Sequence, residues 1–215
     1  MSLHLPDTSA EHHFVSQNQS PRKLPYWSCI VIHHITVPYI APIQDVLIMD
    51  KKTEFEYFKE ICLFLGRART HASAHYVIGR YGEVGRVVDP NTHRAWHAGK
   101  SYWWNEIERD WQYNVNNFGI GVELIGDGNF CSFTDKQYTS LEMLVRRLII
   151  NLNMPSINCL VGHELISNKK VRDDFKIDPG KFFNWDRIYN DLYNSFRNLD
   201  RFLSFTQNLI IKDGN

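Results

Sequence analysis

The sequence has no net charge, and it has no long apolar run. Lysine and arginine together number 24, as do aspartate and glutamate, so the formal charge at pH 7 is zero. Such a chain lacks the basic surface that attracts nucleic acids or anionic membranes. Its apolar runs all fall short of the length that a membrane-spanning helix needs. We therefore expect neither a nucleic acid nor a membrane as a partner.

Cysteine is scarce, and no two cysteines form a CxxC pair. The four residues are Cys29, Cys62, Cys131 and Cys159. Two of them fall in apolar runs, where a free thiol behaves as a small hydrophobic side chain. The first twenty residues also lack the basic start and the apolar centre of a secretory signal. These features predict a reduced, cytoplasmic protein.

The apolar content, by contrast, is ample for a core, because 43% of the residues are hydrophobic and 13% are aromatic. Apolar runs and turn residues predict strands over residues 28–34, 74–79, 84–88, 118–125 and 157–161. Helices are predicted by two capping boxes, Thr53 with Glu56 and Thr134 with Gln137, and by the apolar period of residues 185–203. These elements predict an α/β fold, in which one mixed sheet is flanked by helices on both faces.

The composition divides the chain into three parts. Residues 1–24 are polar and show no apolar period, so we expect a flexible arm there. Residues 25–205 contain every predicted element and no linker-like stretch, which predicts a single domain. Within it, residues 37–50 carry two prolines and are predicted to be a loop. Residues 206–215 are expected to form a tail, and we expect the protein to be a monomer.

A glutamate in the strand over residues 118–125 is the strongest single anomaly. Under the two-residue period of a strand, Gly119, Gly121 and Glu123 share one face. The two glycines are expected to leave open space beside the carboxylate. A carboxylate inside an apolar strand must be paired, hydrogen-bonded or functional.

Two histidines and an aspartate suggest a metal site. His33 and His34 end an apolar strand, and their side chains point to opposite faces, so one of them can face a given site. His163 follows another strand, and Asp178 precedes a proline, which favours an extended backbone. Catalytic zinc uses three such ligands and keeps one position open. The alternative for each histidine is an ordinary hydrogen-bonded residue at a strand end.

Lys176 lies two residues before Asp178, so in an extended segment the two side chains project to the same side. The lysine could stabilise an oxyanion on a substrate carbonyl. Glu123 could move a proton from water to a leaving nitrogen. Together with zinc these groups predict an amide hydrolase, whereas a surface ion pair is the alternative for the lysine and aspartate.

Two further segments could contact a ligand. Arg69 and His71 could bind an anionic group, or they could simply face solvent. Trp96 and His97 belong to an aromatic segment without helical or strand period, which either lines a binding surface or folds back onto the core. The residues alone leave both alternatives open.

Seven segments, in their order along the chain, resemble the type 2 N-acetylmuramoyl-L-alanine amidases. They are VIHHIT, SAHYVIGRYGEVGRVV, RAWHAGKS, FGIGVELIG, FTDKQY, VGHELIS and KIDPGKFFNW. Each segment is weak alone, but the ordered set is specific. These zinc enzymes share a fold with the peptidoglycan recognition proteins, which implies the same fold for about residues 25–190 here.

The resemblance also implies the roles of five residues. His33, His163 and Asp178 would bind one Zn²⁺ per chain, Glu123 would be the catalytic glutamate, and Lys176 would support the oxyanion. The implied substrate is a muropeptide, cut between the lactyl group of N-acetylmuramoyl and L-alanine. The similarity is greatest to the cytoplasmic enzymes of peptidoglycan recycling, whose sugar is in the 1,6-anhydro form.

The resemblance also implies substrate contacts, some of which match the family while others depart from it. Trp96 and His97 match a substrate-contacting loop, and His34 occupies a position where the family varies. The recycling enzymes often carry an arginine shortly before the SAH motif, where this chain has Arg69 and His71 in an uncertain register. They often carry a second basic residue where this chain has the polar Asn114. These two departures concern the substrate and leave the zinc chemistry unchanged. A non-catalytic muropeptide-sensing module, or an amidase that acts on intact cell wall, is the alternative function.

Overall fold

A computed structural model of the chain describes residues 12–37, 40–167 and 176–197. The strands are β1 (His12–His13), β2 (Gln19–Pro21), β3 (Cys29–Ile35), β4 (Tyr76–Ile78), β5 (Val84–Arg86), β6 (His93–Ala95), β7 (Tyr102–Asn105), β8 (Asp110–Tyr113), β9 (Gly119–Ile125) and β10 (Leu160–Gly162). The helices are α1 (Ile43–Ile48), α2 (Lys51–Gly66), α3 (Asp135–Asn151), α4 (His163–Ile166) and α5 (residues 185–197).

Six of these strands form one mixed sheet, in the order β1–β5–β4–β9–β3–β10. The strands β4, β9, β3 and β10 run parallel to one another, while β5 runs antiparallel to β4 and forms a hairpin with it. Gly82 lies in the hairpin turn with a φ of +92°, a conformation that glycine adopts without steric cost. The hairpin and the mixed sheet predicted from the sequence are therefore confirmed.

Alternation along β3 and β9 separates the two faces of the sheet. Ile30 and Ile32 point to the face that α3 and α5 cover, together with Ile120 and Val122. Residues of the opposite parity, such as Val31, point to the other face, part of which α2 covers. A parallel sheet buried on both faces needs apolar residues at both parities, which is why these strands are continuous apolar runs.

The helix starts were predicted with mixed success. Thr134 caps α3, and its side chain and that of Gln137 form the expected capping box. The box predicted at Thr53 is wrong, because α2 begins three residues earlier, and its N-cap Asp50 accepts hydrogen bonds from Lys52 N–H and Thr53 N–H at 2.9 Å. An aspartate satisfies the free amides of a first turn in the same way as threonine does.

Two predicted irregular segments contain regular structure. The loop predicted over residues 37–50 includes α1, and the aromatic segment after Trp96 includes β7, which pairs with β8. The strand predicted over residues 157–161 begins instead as a 3₁₀ turn, Ile157–Cys159, and becomes β10 at Leu160. For β7, pairing with β8 outweighs the weak local signal of the sequence.

The N-terminal segment differs from the flexible arm expected over residues 1–24. Within the described part, β1 pairs with β5 and β2 pairs with β6. Ser16 is buried and donates to the Leu65 carbonyl at 2.9 Å, and the buried Asn18 donates to the Arg67 carbonyl at 2.8 Å. Polar residues without apolar period can thus be ordered by hydrogen bonds, which periodicity does not reveal. Residues 1–11 and the predicted tail over 206–215 lie outside the described residues.

Among the residues that the structure describes, no helix is both long enough and apolar enough to cross a membrane.

Candidate metal centre and catalytic cleft

A cleft lies at the carboxyl ends of three neighbouring parallel strands. His33 is near the end of β3, Glu123 is near the end of β9, and His163 follows β10 directly. His33 and Glu123 are register partners in adjacent strands, so their side chains lie on the same face. Ligands of open α/β sheets bind at such strand ends. The cleft has a volume of about 620 Å³.

Three candidate ligand atoms form a triangle in this cleft. They are His33 Nδ1, His163 Nδ1 and Asp178 Oδ2, and each of the three separations is 3.0 Å. All three residues are buried. Zinc with tetrahedral bonds of about 2.0–2.1 Å places neighbouring ligand atoms about 3.3 Å apart. The donor types and the size of the triangle therefore fit one face of a zinc tetrahedron.

Burial and neighbouring charges set the ionisation of these residues. Burial, with His163 beside it, lowers the pKa of His33 to about 4, so the ring is neutral at pH 7. Burial acts to raise the pKa of Asp178, but the rings of His163 and His33, each 3.0 Å from its carboxylate, outweigh burial and hold that pKa below its usual range. A neutral imidazole and an ionised carboxylate are the forms that bind a divalent metal.

The segment that carries Asp178 is positioned by close backbone packing. A Cβ atom on Gly128 would lie 1.8 Å from the Pro179 carbonyl oxygen, so glycine is required there. His34 faces the same place, and its Nδ1 lies 3.1 Å from the Pro179 carbonyl oxygen and 3.2 Å from the Gly128 amide nitrogen. The Glu164 amide donates to the carbonyl of Asp178 itself at 3.0 Å. These contacts fix the aspartate beside the two histidines.

Glu123 lines the cleft and is half-buried, and one oxygen of its carboxyl group is shielded from water. Its Oε2 atom is buried and has no hydrogen-bond partner within the described chain. Burial and the negative charge of Asp178 raise its pKa well above the usual value, while Lys176 acts in the opposite direction. A buried carboxyl atom without a partner, beside candidate metal ligands, is available to a substrate or a water molecule.

Most of the other residues predicted to act on the substrate line the cleft, but Arg69 does not. Lys176, His34, His71 and Trp96 all line the cleft, and Trp96 Nε1 donates to Ser20 Oγ at 2.9 Å. Arg69 is exposed on a 3₁₀ turn and is not among the described residues that line the cleft. Its predicted role as a substrate contact therefore has no support from this geometry.

His97 lines the same cleft, and protein atoms hold both of its ring nitrogens. Its side chain is mostly buried, its Nδ1 lies 3.0 Å from His33 Nε2, and its Nε2 lies 3.0 Å from the Gly119 carbonyl oxygen. The ring also occupies the space above Gly121, where a Cβ atom would lie 2.4 Å from the His97 Cγ atom. The open space expected beside Glu123 is therefore filled by this histidine, and a distant segment supplies it.

Several cleft residues were missed by sequence analysis. They are Ile35, Thr36, Ala72, Gly99 and Ile177. Each lies within two residues of a predicted site residue, so closeness in sequence to those residues is the signal that could have identified them.

Known proteins resemble this chain in sequence and in fold. The sequence profile of a family described as N-acetylmuramoyl-L-alanine amidase matches residues 22–181. The chain is 35% identical over 172 residues to the curated 1,6-anhydro-N-acetylmuramyl-L-alanine amidase AmpD of Haemophilus influenzae. That alignment covers 77% of this chain and 82% of the relative.

Solved structures show the same fold. A selenomethionine crystal structure of AmpD superposes with a TM-score of 0.61 at 30% identity, covering 86% of this chain and 95% of that chain. The structure of the peptidoglycan recognition protein ectodomains LCa and LCx with tracheal cytotoxin gives a TM-score of 0.52 at 13% identity. That match covers 76% of this chain and 81% of the other. At such low identity it concerns the fold, and the predicted fold class is confirmed.

Proposed function

This chain belongs to the N-acetylmuramoyl-L-alanine amidase family, and from that premise we propose that it is a zinc-dependent amidase of peptidoglycan recycling. Its substrate is a muropeptide whose N-acetylmuramoyl sugar is in the 1,6-anhydro form. The bond cleaved is the amide between the lactyl group of that sugar and L-alanine. The identity to the 1,6-anhydro-N-acetylmuramyl-L-alanine amidase over most of both chains supports this choice of substrate.

One observation carries the proposal. The ligand atoms of His33, His163 and Asp178 lie 3.0 Å from one another, and the carboxyl group of Glu123, whose Oε2 atom is buried, lines the same cleft. A non-catalytic sensing module would have no need for three convergent ligand atoms beside a carboxyl group without a partner. The geometry therefore favours hydrolysis over sensing.

Each residue has a separate task in this mechanism. His33, His163 and Asp178 would hold the zinc ion, which would supply positive charge to the scissile carbonyl and lower the pKa of water toward ~7. Glu123 accepts the proton of the attacking water and passes it to the departing nitrogen of L-alanine. Lys176 supplies positive charge to the oxygen of the carbonyl as that oxygen becomes negative.

Other residues of the cleft indicate where the substrate binds. Trp96 and His71 line the cleft and are proposed to contact the muropeptide, as is His34 at the edge of the site.

The four cysteines are free, and three of them are buried, which is compatible with the reduced cytosol. We propose that the protein acts there as a monomer, and that residues 25–205 form a single domain together with the strands β1 and β2 that pair with it.

Product analysis by mass spectrometry tests the proposal. The purified protein would be incubated with a soluble anhydro-muropeptide, then with a chelator, and then with added zinc. Release of free peptide that stops on chelation and returns with zinc is expected. Absence of cleavage by protein that has bound zinc would contradict the proposal and favour the sensing module. Equal cleavage of intact sacculi would instead favour an enzyme of the cell wall.

A further inference from the structure

His97 connects the body of the sheet to one metal ligand. It lies between the Gly119 carbonyl oxygen, 3.0 Å from its Nε2 atom, and His33 Nε2, 3.0 Å from its Nδ1 atom. Its backbone is held as well, because His97 N–H donates to Asn116 Oδ1 at 3.0 Å. The ring sits directly on Gly121, which leaves it little freedom to turn. The histidine is thus a fixed group with two defined hydrogen-bond partners.

The positions of the hydrogens follow from the carbonyl group of Gly119. A carbonyl oxygen can only accept, so the hydrogen of this contact belongs to His97 Nε2. His97 is buried, and among the described residues no carboxylate forms a hydrogen bond or ion pair with it, so the ring is held neutral and its Nδ1 atom carries a lone pair. His33 Nε2, at 3.0 Å from that lone pair, must therefore donate. A neutral His33 with hydrogen on Nε2 has a lone pair on Nδ1.

That lone pair points at the candidate metal centre. His33 Nδ1 lies 3.0 Å from Asp178 Oδ2, and the carboxylate oxygen is also an acceptor. In the other tautomer, His33 Nδ1 would carry the hydrogen and donate it to Asp178. A metal would then have to break that hydrogen bond and remove the proton before it could bind. The contact with His97 excludes this competing arrangement.

We infer that His97 is a positioning residue, which keeps His33 in the tautomer whose Nδ1 atom is free to bind the metal. Both ring nitrogens are engaged by protein atoms, and the substrate contact expected from the sequence stays a prediction for the face of the ring that lines the cleft. The inference rests on the zinc role proposed for His33. Groups that orient a metal ligand in this way typically change metal affinity by ~10- to 100-fold when they are removed.

Two substitutions at this position separate hydrogen bonding from packing. In His97→Asn, the side-chain oxygen occupies the same place along the side chain as Nδ1 and can still accept from His33, although the ring volume above Gly121 is lost. In His97→Phe, the ring volume remains and the acceptor is lost. Zinc affinity, measured by competition with a chromophoric chelator, should fall ~10- to 100-fold in His97→Phe and stay within ~3-fold of wild type in His97→Asn.

Gly121→Ala provides a matched variant that leaves His97 itself unchanged. Its Cβ atom would lie 2.4 Å from His97 Cγ and would displace the ring from its contact with His33. Zinc affinity should therefore fall in the same direction as in His97→Phe. Thermal unfolding of each metal-free variant would verify that the proteins compared are folded.

The wild-type protein offers a test that needs no substitution. Long-range ¹H–¹⁵N spectra of metal-free protein with ¹⁵N-labelled histidine distinguish the two tautomers, and both His33 and His97 should carry hydrogen on Nε2. In His97→Phe, the His33 signal should move toward the Nδ1–H tautomer. A wild-type His33 with hydrogen on Nδ1 would overturn the inference. So would zinc affinity that is unchanged in His97→Phe, or reduced equally in His97→Asn.

These measurements are independent of the proposed reaction. If the predicted order of zinc affinities holds but no muropeptide is cleaved, the amidase proposal fails and the role of His97 stands. If wild-type protein binds no zinc, the metal proposal fails, and the inference fails with it as a statement about metal binding. The spectra would then still show whether the hydrogen bond exists.

Discussion

At the scale of single residues, Glu123 illustrates how burial prepares a group for chemistry. Its carboxyl group lies inside an otherwise apolar strand, with an Oε2 atom that is buried and lacks a partner in the described structure. Leaving such a group without a hydrogen bond typically costs about 1–3 kcal/mol. A role in proton transfer would explain why this carboxyl group is retained at a cost to stability.

The first prediction concerns Glu123→Gln. The amide keeps the size of the side chain but cannot accept and pass on a proton, so peptide release should fall by ~10²- to 10⁴-fold. Zinc content, measured by elemental analysis, should remain at the wild-type level. Glu106→Gln, a change at an exposed glutamate, is the matched control and should leave the rate unchanged. Wild-type turnover in zinc-loaded Glu123→Gln would remove this residue from the mechanism.

At the scale of elements, the site depends on how strands and turns are brought together. The register of β3 against β9 places His33 beside Glu123. The packing of Gly128 against the turn at Pro179 and Gly180 then brings Asp178 to them. Strand register is strongly specified wherever a face is buried, but a turn depends on a few close contacts. The aspartate ligand is therefore the part of the site most sensitive to backbone changes.

The second prediction concerns Gly128→Ala. The new methyl group would lie 1.8 Å from the Pro179 carbonyl oxygen, so backbone atoms must move and Asp178 must move with them. Zinc affinity should fall by at least ~10-fold, and stability should fall by about 1–3 kcal/mol. Zinc titration and urea unfolding would measure both. Lys181→Ala, at an exposed position beside Gly180, should change neither quantity, and unchanged zinc affinity in Gly128→Ala would contradict this account.

A second pair of elements, α2 and the β4–β5 hairpin, is joined by buried carboxyl groups. Glu54 is fully buried, and its Oε1 atom accepts from Arg80 N–H at 2.8 Å. Glu83 accepts from Tyr81 N–H at 3.2 Å in the same turn. Burial raises the pKa of Glu54 to about 7, and the negative charge of Glu83 acts in the same direction. The hydrogen bond from Arg80 N–H acts in the opposite direction. The hairpin turn is thus packed against an acid that retains its proton.

The third prediction is a pH dependence of stability. Glu54 titrates near 4.5 in the unfolded chain and near 7 in the folded protein. Between these values the folded state holds a proton that the unfolded state has released, so stability falls as pH rises through this interval. Glu54→Gln removes the titration. It should resemble wild type at pH 5 and exceed it at pH 8 by up to roughly 3 kcal/mol, at about 1.4 kcal/mol per pKa unit.

Urea unfolding at the two pH values would measure this difference. Glu56→Gln, at an exposed position on the same helix, is the control and should follow wild type at both. The same pH dependence in Glu54→Gln as in wild type would show that another group is responsible.

At the scale of the whole molecule, the metal centre joins parts of the chain that are far apart in sequence. The contact of His33 with His163 spans 130 residues, and its contact with Asp178 spans 145. An unfolded chain cannot hold these groups together, so a metal at this site binds only the folded protein. Binding of that kind transfers its free energy to folding.

The fourth prediction follows from this coupling. Zinc at one hundred times its dissociation constant should stabilise the fold by about 2.7 kcal/mol. For a protein of this size that corresponds to a rise of roughly 5–10 °C in Tm. Thermal unfolding with chelator and then with excess zinc would measure it. Asp178→Asn should show a much smaller zinc-dependent shift, and a chelator that removes zinc without lowering Tm would exclude the coupling.

The sequence by itself determined the elements whose signals are local. Apolar runs marked β3 and β9, the capping box marked the start of α3, and Gly82 marked the hairpin turn, because each depends on neighbours in sequence. The candidate ligands could also be named in advance, since they stand at strand ends or before a proline. Residue types and spacing carry this information directly.

Only the tertiary structure decided which of these residues meet and what surrounds them. The ring of His97 fills the space above Gly121, and Gly128 packs against Pro179, through contacts between segments distant in sequence. Ser16 and its neighbours are ordered by hydrogen bonds to distant carbonyl groups, although they lack an apolar period. Such contacts depend on distances between folded elements to within tenths of an ångström, and residue spacing along the chain does not contain them.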